Sequence, residues 1–360
     1  MRMLIVTQAV DLDDPVLGFF HGWIAAFSKH CKSVHVICLK EERHSLPANV
    51  RVHSLGKESG QSRVSSFQGL PSDSEGSPWI VRIQYILRFY QYIWSLRNEY
   101  DVVFVHMNQE YVLLGGKFWR LFGKRVVLWR NHKMGSVWTH VAGFFAHTVC
   151  YTSPSAYVTS FKNAVRMPIG IDTNFFKPSA VPAAKGTILF LGRLDAVKKP
   201  DIFLRAMEIL VRENGSIHAD IYGDTTPGHG DFARRLKAGF ISLKQVTFHP
   251  AVSNEKTPSI YNAHSIYLNL TPSGSFDKTI GEAMATGCIV VACNDAVKGV
   301  LPKELFVTEC STEFVAAALH SAFALSESER TAVTERCRAY IEHEHSLLLL
   351  SERLFDVLRG

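Results

Sequence analysis

The sequence predicts an α/β protein built of two Rossmann-like domains, each a parallel sheet with helices on both faces. Three observations predict it. Short strands that are apolar on both faces alternate with amphipathic helices along the whole chain, as expected where both faces of a sheet are buried. The 360 residues suit two domains of roughly 150–200 residues each. A Pro/Ala-rich connection, Lys177-Pro-Ser-Ala-Val-Pro-Ala-Ala-Lys-Gly186, divides the pattern into halves.

In the first half the apolar runs Leu4–Thr7, Ser33–Cys38, Val50–Ser54, Val102–His106, Arg125–Trp129 and Val149–Tyr151 read as strands. Helical periodicity fills 17–30, 79–97 and 111–122. The second half repeats the theme with strands at Leu189–Leu191, Ala219–Tyr222, Val246–Phe248, Tyr267–Leu270 and Val290–Ala292. A closing helix over about 327–358 is expected to break near His343–Ser346. Gly56 to Pro78, rich in Ser, Gly and Glu, reads as a mobile loop, and Gly228-His-Gly230 as a turn. The helix around Trp79, Arg82, Tyr85, Arg88, Phe89, Tyr92, Trp94 and Arg97 presents either a core face with snorkelling arginines or a membrane-surface stripe. The core face is the commoner fate of such a pattern.

Composition narrows the class. Hydrophobic residues make up 47% and charged residues 20%, which excludes a disordered or fibrous chain. The net charge of +6 suits an anionic small molecule or an anionic membrane surface. Nucleic acid is not expected, because there is no basic run, zinc motif or stacking platform. Seven cysteines without a Cys-x-x-Cys pair suggest buried thiols in a reducing compartment. Met1–Thr7 reads as a first strand rather than a signal peptide, and no apolar run reaches the ~20 residues of a membrane span. The expectation is a cytoplasmic protein that touches a membrane, if at all, from that side.

Two stretches carry the chemistry. Thr187-Ile-Leu-Phe-Leu-Gly-Arg-Leu-Asp-Ala-Val-Lys-Lys-Pro-Asp201 is a buried strand ending at Gly192, followed by Arg193 and Lys198 in the turn before a helix. Cations at a helix start are disfavoured by its dipole, so an anion is expected to offset them. Leu270-Thr-Pro-Ser-Gly-Ser-Phe-Asp-Lys-Thr-Ile-Gly-Glu-Ala-Met-Ala-Thr-Gly287 is a second strand end, a Gly/Ser loop and a helix bearing Glu282. Its free N–H groups attract phosphate, and Glu282 is placed to grip ribose hydroxyls. Together they predict a nucleotide-diphosphate site formed by Gly192, Arg193, Lys198, Ser275, Phe276, Asp277, Lys278, Thr279 and Glu282.

These motifs resemble the donor domain of the retaining glycosyltransferases of family four, which have the GT-B fold. The Gly-Arg-Leu turn, the Lys five residues on, the Pro-Ser loop and Glu282 match that pattern. So do Pro168-Ile-Gly-Ile-Asp172 with Phe175, where Ile169 replaces an Asn, and Asp220-Ile-Tyr-Gly-Asp224. Two positions depart from it. Gly274 stands where the family has the first Glu of a pair, and Asp277 stands where it has a small residue. Near the N-terminus Leu17-Gly-Phe-Phe-His-Gly-Trp23 replaces the family's Gly-Gly loop, and the resemblance implies donor contacts at Gly18 within it and at Gly223. Leu128-Trp-Arg-Asn-His-Lys133 places His132 where the family carries a His beside the transferred sugar.

The resemblance implies an acceptor domain over 1–167, a linker over 168–186, a donor domain over 187–342, and a terminal helix over 343–360 returning to the first domain. It implies a retaining hexosyltransferase that needs no metal, with a nucleotide diphosphate sugar as co-substrate and no resident cofactor. The acceptor would be a glycan or a lipid-linked hydroxyl, in envelope polysaccharide or glycolipid synthesis, with peripheral membrane contact. Arg193, Lys198 and His132 would serve catalysis. Asp277 and Lys278 would either hold the donor sugar in place of the carboxylate that Gly274 lacks or form an exposed helix cap. His106-Met-Asn-Gln-Glu110 would line the acceptor side or belong to the core. The alternatives are a nucleotide-sugar epimerase and a non-catalytic subunit that keeps the fold, the latter favoured by Gly274. A phosphorylase would need a pyridoxal-phosphate lysine for which no context is seen.

Overall fold

The computed structural model describes residues 1–58, 78–225 and 230–360. The chain divides into two compact units, one of Met1–Met167 with Ser351–Gly360 and one of Pro168–Leu350. Most of the segment Gly56 to Pro78, the turn residues 226–229 and the side chain of Trp79 lie outside what is described.

The first unit runs β1 (Arg2–Val10), α1 (Phe19–Ser28), β2 (Ser33–Glu41), β3 (Val50–Ser54), α2 (Pro78–Ser95), β4 (Val102–His106), α3 (Gln109–Leu121), β5 (Arg125–Trp129), α4 (Val137–Phe145), β6 (Thr148–Tyr151) and β7 (Ala164–Arg166). Its seven strands lie in the order β3-β2-β1-β4-β5-β6-β7, and every pairing is parallel. Val, Ile, Leu and Phe are buried on both faces of the central strands β1 and β4, which accounts for their continuous apolar runs. Helix α2 buries Phe89 and Ile93 in this core while Leu87, Tyr90 and Trp94 stay exposed. The stripe is thus divided between core and surface. Trp94 packs against Phe118 and Phe122 of the α3 region, with Arg97 over its ring at 4.6 Å.

The second unit runs β8 (Ala184–Leu191), α5 (Pro200–Glu213), β9 (His218–Tyr222), α6 (Gly230–Gly239), β10 (Val246–His249), α7 (Thr257–Ala263), β11 (His264–Asn269), α8 (Lys278–Thr286), β12 (Ile289–Ala292), α9 (Thr312–Ala324) and α10 (Glu327–Glu344). A final helix, α11 (Leu347–Arg359), follows. The five strands lie in the order β10-β9-β8-β11-β12, again all parallel. Strand order reverses at β8, whose neighbours are β9 and β11. In open parallel sheets a ligand crevice opens beyond the strand ends at such a switch point. Here those ends are Gly192-Arg193 and Leu270-Thr271.

Residues 168–186 do not form a detached linker. Ile169, Ile171 and Phe176 are buried in one core cluster with Tyr261, Phe276 and Ile280, and Ala184–Gly186 already belong to β8. The helix break falls at His345. Its carbonyl accepts from Ile171 N at 2.9 Å, and its Nε2 lies 2.9 Å from Tyr340 Oη. These contacts keep 343–350 with the second unit, so only the last ten residues pack with the first. There Arg125 Nε donates to Val357 O at 2.7 Å and the rings of Phe27 and Phe355 meet at 6.4 Å.

The ends of β8 and β9 approach closely through two glycines, Gly192 and Gly223, with φ of +157° and +159°. A Cβ at Gly223 would lie 1.9 Å from Gly192 O. Gly223→Ala is therefore expected to destabilise the unit by at least about 1 kcal/mol, read as a lower urea midpoint. An unchanged midpoint would show that this approach is not required.

Candidate active site

Beyond β8, Arg193 leaves the sheet with its side chain 51% exposed and its Nε 3.5 Å from Asp195 Oδ2. The other carboxylate oxygen, Asp195 Oδ1, is buried without a hydrogen-bond partner. Lys198 follows in a short 3₁₀ turn, and Lys199 in a left-handed conformation (φ 51°) starts α5. Lys198 does not point to open solvent. Its Nζ donates to Thr271 Oγ1 at 2.9 Å and pairs with Asp277 Oδ2.

Beyond β11, the loop Thr271–Phe276 leads into α8, with Gly274 at φ +152°. That conformation favours glycine, so no glutamate side chain is supplied there. The loop is tied to the end of β12. Asn294 Nδ2 donates to Ser275 O at 2.9 Å, and Ser273 Oγ accepts from Asp295 N at 2.9 Å. Phe276, expected at the ligand, is a core residue: it is 7% exposed and meets the His345 ring edge-on at 5.0 Å.

Asp277 is the N-cap of α8, and it is largely buried rather than an exposed cap. Its Oδ2 accepts from Lys198, from Thr271 Oγ1 at 2.8 Å and from Asn269 Nδ2 at 3.1 Å. Its Oδ1 accepts from Thr279 Oγ1 at 3.0 Å and Thr279 N at 3.4 Å. Burial alone would raise its pKa. The Lys198 ammonium and the hydrogen bonds from Lys198, Asn269 and Thr271 outweigh that and hold it well below the usual carboxylate range.

Lys278 turns to the backbone, donating to Ile169 O at 2.6 Å and Gly170 O at 3.2 Å. Glu282, one turn later, is 4% exposed and accepts from Tyr261 Oη at 3.0 Å. Burial pushes Lys278 down and Glu282 up, and each is partly restored by the other's charge. The Thr279 hydroxyl is engaged by Asp277, by Tyr267 Oη at 2.7 Å and by Asn269 Nδ2 at 3.1 Å. The predicted residues thus meet at one sheet edge, but most of them face each other. Arg193 is the open cation among them.

Sequence reasoning missed three members of this cluster, Asn269, Thr271 and Tyr261. The Thr-Pro boundary after the buried run of β11 was the local signal for the first two. In the same sheet, Asp220 of β9 lies between His249 Nε2 at 2.6 Å and His264 Nε2 at 2.9 Å, and the rings of His249 and Tyr222 stack at 4.3 Å. Burial would raise Asp220, but the two histidines hold it below its usual value.

A carboxyl held low in the folded state contributes stability that is complete above its unfolded value and is lost as the pH falls toward the folded one. With Asp277 and Asp220 both held low, the second unit is expected to weaken steeply below about pH 4. Urea midpoints between pH 3 and 7 should show a shallower acid limb in Asp277→Asn. A limb of unchanged slope would contradict the assignment.

In the first unit, Gly18 precedes α1 with φ −54°, a conformation open to any residue. His106 is 2% exposed and stacks on Phe20 at 3.9 Å, which makes it a core residue. His132 lies beyond β5, with Nδ1 3.1 Å from both Met134 N and Met134 O. Near it in sequence, Arg130 Nε is buried without a hydrogen-bond partner, as are Gln109 Oε1 and Thr152 Oγ1. Sequence reasoning assigned Arg130 no role, although it directly follows the buried run of β5. Among the described residues no helix is long and apolar enough to cross a membrane.

Residues 185–323 match the family model described as glycosyl transferases group 1. The second unit is thus similar to that family over most of its length. A D-inositol 3-phosphate glycosyltransferase of Streptomyces griseus is 32% identical to the chain over 121 residues, covering 32% of this chain and 25% of that protein. The chain spans about a quarter to two-fifths of the length of the curated relatives it matches. Among solved structures, HepE of Anabaena in complex with UDP and glucose superposes with a TM-score of 0.75 over 100% of both chains, at 15% identity. Sucrose-phosphate synthase of Thermosynechococcus elongatus gives 0.76 over 99% of this chain and 98% of that one, at 17% identity. These likenesses show the GT-B fold along the whole chain.

Proposed function

We propose that the chain is a glycosyltransferase that binds a nucleotide diphosphate sugar in its second unit and moves the sugar to a hydroxyl acceptor. The observation that carries the reading is the convergence of Arg193 and the α8 loop on the two strand ends flanking the sheet's switch point. Arg193 would hold the diphosphate and stabilise the charge that grows on it as the glycosidic bond breaks. Transfer would proceed with retention. The C1–O bond to phosphate breaks, the acceptor oxygen bonds to C1 on the same face, and the acceptor's proton passes to the leaving phosphate. His132 would contact the sugar or the transition state. The acceptor would be a glycan or lipid-linked hydroxyl, and the exposed Leu87, Tyr90 and Trp94 beside Arg97 suit contact with a membrane surface.

Incubating the protein with a panel of labelled nucleotide sugars in excess chelator tests the reading. Release of free sugar, or of a glycoside once an acceptor is added, is the expected result. Complete dependence on one divalent ion would overturn the metal-independent part, and no turnover of any donor would overturn the whole. A second reading, a non-catalytic binding subunit, is favoured by Gly274 and by the engagement of Lys198 with Asp277. It predicts donor binding without turnover.

A further inference from the structure

We infer that Asp277 is a built-in competitor for the donor's diphosphate, its carboxylate filling the anion cradle made by Lys198, Asn269, Thr271 and the N-terminus of α8. The inference rests on the donor reading above and says what limits affinity at that site.

A phosphate at this sheet edge would seek a lysine ammonium, hydroxyl and amide donors, and the first N–H groups of a helix. Asp277 already holds that set: Lys198 Nζ, Thr271 Oγ1 and Asn269 Nδ2 on one oxygen, and Thr279 Oγ1 and Thr279 N on the other. A carboxylate has about four lone-pair sites, so five donors saturate it. The cradle is rigid as well. Tyr267 Oη donates to Thr279 Oγ1 at 2.7 Å and accepts from Asn269 Nδ2 at 3.0 Å. Thr271 N is fixed to Asn269 Oδ1 at 2.9 Å. The ionised form of Asp277 is the one these donors favour, so an arriving diphosphate meets a fixed negative charge and a lysine already engaged. It must displace the carboxylate or bind beside it through Arg193. Of the predicted cations, Arg193, half exposed, is the one left to an outside anion.

Calorimetric titration of the full chain with uridine, guanosine and adenosine diphosphates and with inorganic pyrophosphate tests this. Asp277→Gly keeps a tolerated N-cap and removes the carboxylate. It is expected to bind the preferred diphosphate about tenfold tighter than wild type at low salt. The gain should shrink in roughly 0.5 M salt. Adding Lys198→Met to Asp277→Gly should erase it, because the gain belongs to the released ammonium. Asp277→Asn, which retains a capping oxygen, should tighten binding in the same direction and serves if the glycine variant is unstable. Equal or weaker binding by both Asp277 variants, with binding still lost in Arg193→Ala, would overturn the inference and leave the donor reading intact. A gain that survives Lys198→Met would also overturn it. Binding to none of the proteins would overturn the donor reading and the inference with it.

Discussion

Replacing Arg193 with alanine is expected to cut sugar transfer by roughly 10²–10³, the scale for removing one preorganised charge that stabilises a transition state. Arg193 is half exposed and 3.5 Å from its partner, but Asp195 is only 13% exposed, so the variant is expected to fold with some loss of stability. Initial rates at saturating donor, taken well below the variant's own melting temperature, are the check. Near-normal turnover would remove Arg193 from the reaction. The expected loss is larger than for the other predicted ligands because those face each other across the α8 N-terminus and give less of their charge to an outside anion.

The second large effect is on stability. Lys198→Met leaves the Asp277 carboxylate in a largely buried position without its ion-pair partner. Removing one member of a buried pair typically costs 3–5 kcal/mol, far more than the pair itself contributes over an apolar substitute. Lys198 and Asp277 have side chains only 16% and 12% exposed, so solvent offers little compensation. Urea unfolding of Lys198→Met should show a loss of about 3–5 kcal/mol, and Asp277→Gly combined with Lys198→Met should recover much of it. A loss below about 1 kcal/mol would place the pair in the class of solvated surface bridges.

The central strands were legible because β1, β2, β4, β5, β6, β11 and β12 are buried on both faces over most of their length and so read as apolar runs. Other pieces were not, and three of them show why. β7, Ala164–Arg166, is a three-residue edge strand with two exposed positions, too short to carry a period. α4, Val137–Phe145, has aromatic and aliphatic residues on all sides and no charged face to mark its rotation. Ala184–Gly186 lack β-branched residues and read as linker, yet they open β8.

The site divides in the same way. Its position was legible, since Gly192-Arg193 and the Pro272 loop each end an apolar run, and strand ends are where ligands meet a parallel sheet. The partnerships were not. Lys198 and Asp277 are 79 residues apart, Tyr261 and Glu282 are 21 apart, and Phe276 packs on His345 at a distant helix end. Each side chain showed its own chemistry in sequence, but only the sheet order brings β8 beside β11 and turns two expected ligands into partners of one another.

The claim that the second unit holds a nucleotide-diphosphate site is tested most directly by thermal shift with nucleosides, nucleoside monophosphates and nucleoside diphosphates, on wild type and Arg193→Ala. A ligand at 100 times its Kd stabilises the form it binds by about 2.7 kcal/mol. The account predicts that at least one diphosphate raises the wild-type melting temperature well above its monophosphate, and that this difference disappears in Arg193→Ala. No shift with any diphosphate, or an equal diphosphate shift in Arg193→Ala, would contradict it.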